Sequence, residues 1–99
     1  MKNAKNFPDS RALIKIRAKI HELDRLFVIL LELREKLAKD AGRIKREFNI
    51  PLVNRNVEKE KILKLKRLAK QKKIDENLVE KIFNLIILHS RKSQRNAKR

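Results

Sequence analysis

Apolar residues recur along the first half of this chain at alternating intervals of three and four. Leu13, Ile16, Ile20, Leu23, Phe27, Leu30, Leu37, Ala41, Ile44 and Phe48, with Arg34 in register among them, make a seam of about five heptads without a slip. The pattern predicts a single helix over Ser10–Phe48. It breaks at Phe48-Asn49-Ile50-Pro51, because a proline drives the residue before it out of the helical region. Two further helical patterns cover Asn54–Gln71 and Asp75–Gln94, separated at Gln71-Lys72-Lys73-Ile74-Asp75, where Asp75 is placed to cap the third helix. Residues 1–9 read as an N-terminal tail, 10–94 as one helical domain and 95–99 as a basic C-terminal tail. The expected fold class is all-α, with three helices and a very long first one.

That length has a consequence. A helix over Ser10–Phe48 measures about 58 Å at 1.5 Å per residue, more than two shorter helices of one small chain can cover. A second copy of the same helix is the simplest cover for the seam, so the length predicts an intertwined homodimer.

Composition narrows the class. Ninety-nine residues allow one domain. One Gly and two Pro leave little turn chemistry for a many-stranded β fold. The absence of Cys excludes disulfide scaffolds, thiolate zinc sites and thiol catalysis. The apolar run Leu26–Leu31 is too short and too far in for a signal peptide or a membrane span, so the expected location is cytoplasmic. Lys and Arg number 28 against 12 Asp and Glu, a net charge of +16, which by itself suggests a polyanionic partner.

Placing the charges changes that suggestion. Arg34 occupies a seam position that is otherwise apolar. It either snorkels to the rim or meets an anion from inside, since an unpaired buried charge is costly. Lys45 lies eleven residues on and returns to within roughly 20° of the same face. On the third helix, Val79, Phe83, Ile86/Ile87, Ser90 and Gln94 form a stripe that begins as core and ends polar. Ser90 and Gln94 read either as a helix end leaving the core or as site residues. Glu58 reads as a carboxylate at a helix N-terminus or as an acceptor. Gly42 inside the long helix allows close packing at about 1 kcal/mol of helix propensity. His21 and His89 lie on different predicted helices, far apart in the chain, so a metal site is not expected.

These residues resemble the all-helical (AroQ-type) chorismate mutases. The run Ile16-Arg17-Ala18-Lys19-Ile20-His21-Glu22-Leu23-Asp24 is similar to the family's opening. Leu30-Leu31-Glu32-Leu33-Arg34, Leu37-Ala38 and Gly42-Arg43-Ile44-Lys45 continue it. Pro51, Glu58, Ile82-Phe83, Ile86-Ile87, Ser90 and Gln94 come at the family's spacing, so the likeness covers about residues 13–94.

The resemblance implies the rearrangement of chorismate to prephenate, on the route to phenylalanine and tyrosine. This pericyclic step needs no nucleophile, metal or cofactor, only a compact substrate conformer and a matched field. Carried over by position, Arg34 would clamp one substrate carboxylate and Arg17 the other, supplied in trans. Lys45 and Gln94 would donate to the ether oxygen. Glu58 would accept from the ring hydroxyl, Ser90 would be a secondary carboxylate contact, and Asn54 would lie beside the hydroxyl. Helix geometry agrees with the sharing: Arg17 and Arg34 are about 25 Å apart along one helix axis, too far for one small pocket. Two long helices crossing antiparallel near residue 29 would set Arg17 of one between Arg34 and Lys45 of the other.

Two departures stand out. The family usually has Asp where this chain has Asn54, and Arg-Glu where it has Val57-Glu58. Asn caps a helix as well as Asp. Val57 removes a cation near the pocket, which bears on affinity rather than reaction type. Three other readings fit some of the same residues. An isochorismate-pyruvate lyase would share the arginines, the lysine and the late Gln, but Glu58 favours the mutase. A nucleic-acid-binding protein would use Lys59–Lys73 and Arg91–Arg99, yet no aromatic residue interleaves either run and no helix-turn-helix spacing occurs. A mutase-like dimer kept only as a scaffold is the third.

Overall fold

A computed structural model describes residues 10–97. Three helices run in order, α1 (Arg11–Glu47), α2 (Arg55–Gln71) and α3 (Glu76–Arg95), and no strand occurs among the described residues. The all-α reading holds. The expected tail over residues 1–9 lies outside the described residues.

Each helix start is built as its sequence dictates. Ser10 Oγ accepts from Leu13 N at 3.2 Å. Asn54 Oδ1 accepts from Val57 N at 3.1 Å, and Asp75 Oδ1 accepts from Asn77 N and Leu78 N at 2.8 and 3.4 Å. Each cap satisfies amide donors that the first helical turn cannot pair internally.

The ends of α1 and α2 share one solution. Asn49 and Lys73 adopt left-handed φ values of 54° and 59°. After α1, Ile50 N donates to Lys45 O and Asn49 N to Arg46 O; after α2, Ile74 N donates to Ala69 O and Lys73 N to Lys70 O. Both are Schellman ends, which pair carbonyls left over by the last turn. The chain has therefore already turned before Pro51, and the proline comes after the stop rather than making it.

The chain divides into two compact units, Met1–Arg34 and Glu35–Arg99. The first contains the α1 residues up to Arg34. Its seam is bare in the single chain: Ile16, Ile20, Leu23, Phe27 and Leu30 are all exposed, Leu23 at 65% and Leu30 at 61%. An Arg25–Glu22 ion pair at 2.8 Å sits on its solvated surface.

The second unit holds the rest of α1 with α2 and α3. Its buried positions are Ala38, Gly42, Ala69, Ile87, Ser93 and Ala97, mostly small side chains that let helices approach closely. Gly42 shows why: a Cβ there would lie 2.5 Å from Gln94 O and 2.7 Å from Gln94 Cα. α2 and α3 form an antiparallel hairpin, tied by Lys66 Nζ–Glu80 Oε1 at 3.0 Å near the turn and by Arg91–Glu58 at the open end. The end of α3 departs from the expected tail. Arg95 is still helical, Asn96 caps the helix and Ala97 is buried. Arg46 on α1 donates Nη2 to Arg95 O at 3.0 Å and Nη1 to Ala97 O, which anchors the segment.

Candidate active site

The open end of the α2–α3 hairpin gathers three of the sequence-predicted site residues, Lys45, Glu58 and Gln94. Lys45, in the last turn of α1, donates Nζ to Gln94 Oε1 at 2.7 Å and to Leu52 O at 2.7 Å. An ammonium can only donate, so the amide oxygen of Gln94 must face it and the amide NH2 lies on the other branch. Gly42 and Arg46 flank Lys45 on α1, the first by touching the Gln94 backbone and the second by holding the carbonyls that come after it. The Lys45–Gln94 pair is thus fixed from both helices.

Glu58, in the first turn of α2, is gripped by Arg91 of α3. Arg91 Nε donates to Glu58 Oε2 at 3.0 Å and Nη2 to Oε1 at 2.5 Å. The Arg91 hydrogen bonds hold the Glu58 carboxyl below the ordinary carboxylate range, with Arg55 and Lys45 adding smaller attractions. The same bonds raise the Arg91 guanidinium above its ordinary value. Charge from Lys45 therefore reaches Glu58 although no hydrogen bond joins the two. Ile87, one turn before Arg91, is buried against this end of the hairpin.

Asn54 spends its Oδ1 on the α2 cap, so its NH2 is the group left to meet a ligand. Ser90 is half-buried on α3, one turn ahead of Gln94. Arg17 and Arg34 both belong to the first unit, Arg17 exposed and Arg34 half-buried. Burial pushes the Arg34 guanidinium below its ordinary value.

Arg91 and Arg46 are the residues that sequence reasoning missed. Arg91 opens the basic Arg91–Arg99 run, and Arg46 lies just beyond the Gly42-Arg43-Ile44-Lys45 motif, where nothing in the sequence singles it out. Hairpin register held a signal for Arg91: Glu58 lies about sixteen residues before Ile74 and Arg91 about seventeen after it, which sets them level across an antiparallel pair.

Comparison with known proteins decides the family. The profile of chorismate mutase type II matches residues 16–95. The chain belongs to the chorismate mutase type II family. It is 36% identical over 83 residues to a chorismate mutase of Methanocaldococcus jannaschii, a match covering 84% of each chain. It is also 35% identical over 85 residues to a bifunctional chorismate mutase/prephenate dehydratase of Buchnera aphidicola subsp. Schizaphis graminum, covering 84% of this chain and 22% of that protein. Membership in the chorismate mutase family makes this an isomerase, as the motif resemblance implied. Among the described residues no helix is long and apolar enough to cross a membrane.

Proposed function

We propose that the Lys45–Gln94 end of the hairpin is the place where chorismate rearranges to prephenate, within phenylalanine and tyrosine biosynthesis in the cytoplasm. The observation that carries this is the 2.7 Å contact of Lys45 Nζ with Gln94 Oε1, inside a chain of the chorismate mutase family. Lys45 has three N–H donors. Leu52 O and Gln94 Oε1 take two, and the third is directed to substrate. With its oxygen held by Lys45, Gln94 offers its NH2. Two donors then converge on one substrate atom, the ether oxygen. That oxygen gains negative charge as its bond to carbon lengthens, so the two hydrogen bonds are stronger in the transition state than in the ground state.

The rest of the site binds and shapes. Arg34 clamps one carboxylate of the substrate, bidentately, and Ser90 supports a carboxylate as well. Glu58 accepts from the ring hydroxyl and Asn54 lies beside it. These contacts hold the compact conformer in which the new carbon–carbon bond forms as the ether bond breaks. No group is transferred to or from the protein.

The working form is a homodimer in which the partner subunit's Arg17 clamps the second carboxylate. The bare seam of α1 supports this, because so many large apolar side chains in register are costly to leave in water. Ile16, Ile20, Leu23, Phe27 and Leu30 fit a second copy of the same helix.

A chorismate-disappearance assay tests the proposal on the wild type and on Arg34→Ala. The wild type is expected to form prephenate, and Arg34→Ala to lose most of that activity. Folded, dimeric wild type that leaves chorismate unchanged overturns the function; equal rates overturn the site.

A further inference from the structure

The Arg91–Glu58 pair has features that a simple tie between helices lacks. Both Glu58 oxygens are held from one side by Nε and Nη2 of the same guanidinium, which fixes the plane of the carboxylate. Each oxygen keeps a further lone pair for another donor. The two side chains are only 21% and 22% exposed, so water competes weakly for those bonds. The pair lies at the open end of the hairpin. Glu58 is one turn beyond the Asn54 cap, and Arg91 is three residues before Gln94. The hairpin is already tied nearer its turn by Lys66–Glu80. Val57, beside Glu58, is apolar and 56% exposed, so the guanidinium that contacts Glu58 comes from α3 and not from its own helix.

We infer that Arg91 is a positioning residue for the rearrangement, which fixes the carboxylate plane of Glu58 so that it accepts the ring hydroxyl of the substrate. The inference rests on the proposed mutase function. Arg91 works through Glu58 and does not touch substrate. Without it, the Glu58 carboxylate rotates freely and loses the hydrogen bonds that favour its ionised form. A misplaced acceptor relaxes the hold on the ring, and the reactive conformer is less populated.

The test compares Arg91→Leu, Arg91→Lys, Glu58→Gln and the double variant Glu58→Gln/Arg91→Leu, each checked for folding by circular dichroism. Arg91→Leu is expected to lower kcat by roughly 10- to 100-fold, with a smaller change in KM. The acid limb of its kcat/KM profile moves to higher pH, because Glu58 loses its cation. Arg91→Lys keeps the charge without the two-pronged grip, so its rate is intermediate and its acid limb stays near the wild type. The decisive comparison is additivity. If Arg91 acts through Glu58, Arg91→Leu costs little more once Glu58 is Gln. Losses that multiply in the double variant overturn the inference. So does a folded Arg91→Leu enzyme with wild-type kcat and pH profile. If Arg91→Leu does not fold, Arg91→Lys alone and with Glu58→Gln carries the same comparison. A wild type inactive on chorismate removes the proposed function itself, whereas an active wild type with an unaffected Arg91→Leu removes only the role of Arg91.

Discussion

Lys45 and Gln94 meet end to end, Nζ to Oε1 at 2.7 Å, although they are 49 residues apart in the chain. The contact orients an amide that could otherwise flip. In the proposed site, Lys45→Met therefore removes one donor to the ether oxygen and releases the orientation of the other. Removing one such donor costs about 3 kcal/mol in the transition state, or 10²- to 10³-fold in kcat. Gln94→Ala, which leaves the charge in place, is expected to cost less. Gln94→Glu pairs with Lys45 at neutral pH but offers no donor, so it should match or exceed the loss in Gln94→Ala. Steady-state kinetics on the three variants check the order, and a Gln94→Glu enzyme as fast as wild type at neutral pH contradicts it.

Gly42→Ala sets helix propensity against packing. Alanine is favoured in a helix interior by about 1 kcal/mol. At this position its Cβ would lie 2.5 Å from Gln94 O and 3.0 Å from Gln94 C, both backbone atoms that cannot swing away. Overpacking of this kind costs about 1–3 kcal/mol. Packing is expected to win, with a lower Tm and a displaced Gln94, hence lower kcat. A Gly42→Ala protein more stable than wild type would show that α3 yields at no cost.

Glu58 makes stability depend on pH in a known direction. Its carboxyl titrates below the ordinary range in the folded protein, chiefly because Arg91 hydrogen-bonds to it. A depressed folded pKa means that ionised Glu58 favours the folded state. The contribution is complete above the unfolded carboxylate pKa of about 4.3 and is lost as pH falls through the folded value. Urea midpoints measured from pH 7 down to 3 should therefore fall more steeply for the wild type than for Glu58→Gln. Parallel curves would mean that the pair contributes nothing.

How far these features could be read from sequence depended on how local their causes are. The seam from Leu13 to Phe48 and the caps Asn54 and Asp75 lie in short stretches, and the helices begin where those stretches say. The Lys45–Gln94 neighbourhood was legible only through family spacing, since no local pattern links the two. Arg91 was hidden because its partner depends on the register of a hairpin. Arg46 was hidden because its acceptors are backbone carbonyls, which no residue type announces. The stop after α2 was half legible: the break was visible, but a lysine in the left-handed region is not something composition suggests.

The left-handed lysine is testable at Lys73, where φ is 59°. An L side chain costs about 1 kcal/mol there, and glycine does not. Lys73→Gly should stabilise the protein by about 0.5 kcal/mol after the added chain entropy is counted, and Lys73→Val should destabilise it. Chemical denaturation of both gives the sign. Neither change should alter the mutase rate, because Lys73 lies at the turn end of the hairpin, remote from Lys45 and Glu58.

The proposed sharing of Arg17 and Arg34 between subunits makes a prediction that a single-chain site cannot imitate. Arg17→Ala and Arg34→Ala dimers should each be nearly inactive, because every site in either dimer lacks one carboxylate clamp. In a mixed dimer, one site takes Arg34 from the Arg17→Ala chain and the partner subunit's Arg17 from the Arg34→Ala chain, and is complete. The other site lacks both. Random assortment after co-refolding makes half the dimers mixed, with one good site in two, so activity should recover to about a quarter of wild type. Sedimentation on the same samples should show twice the 11.8 kDa chain mass throughout. If both arginines serve one pocket within one chain, each subunit stays defective whatever its partner, and no activity returns. Recovery that disappears when Leu23→Lys is added to both chains would tie the restored site to the α1 seam, where Leu23 is 65% exposed in the single chain.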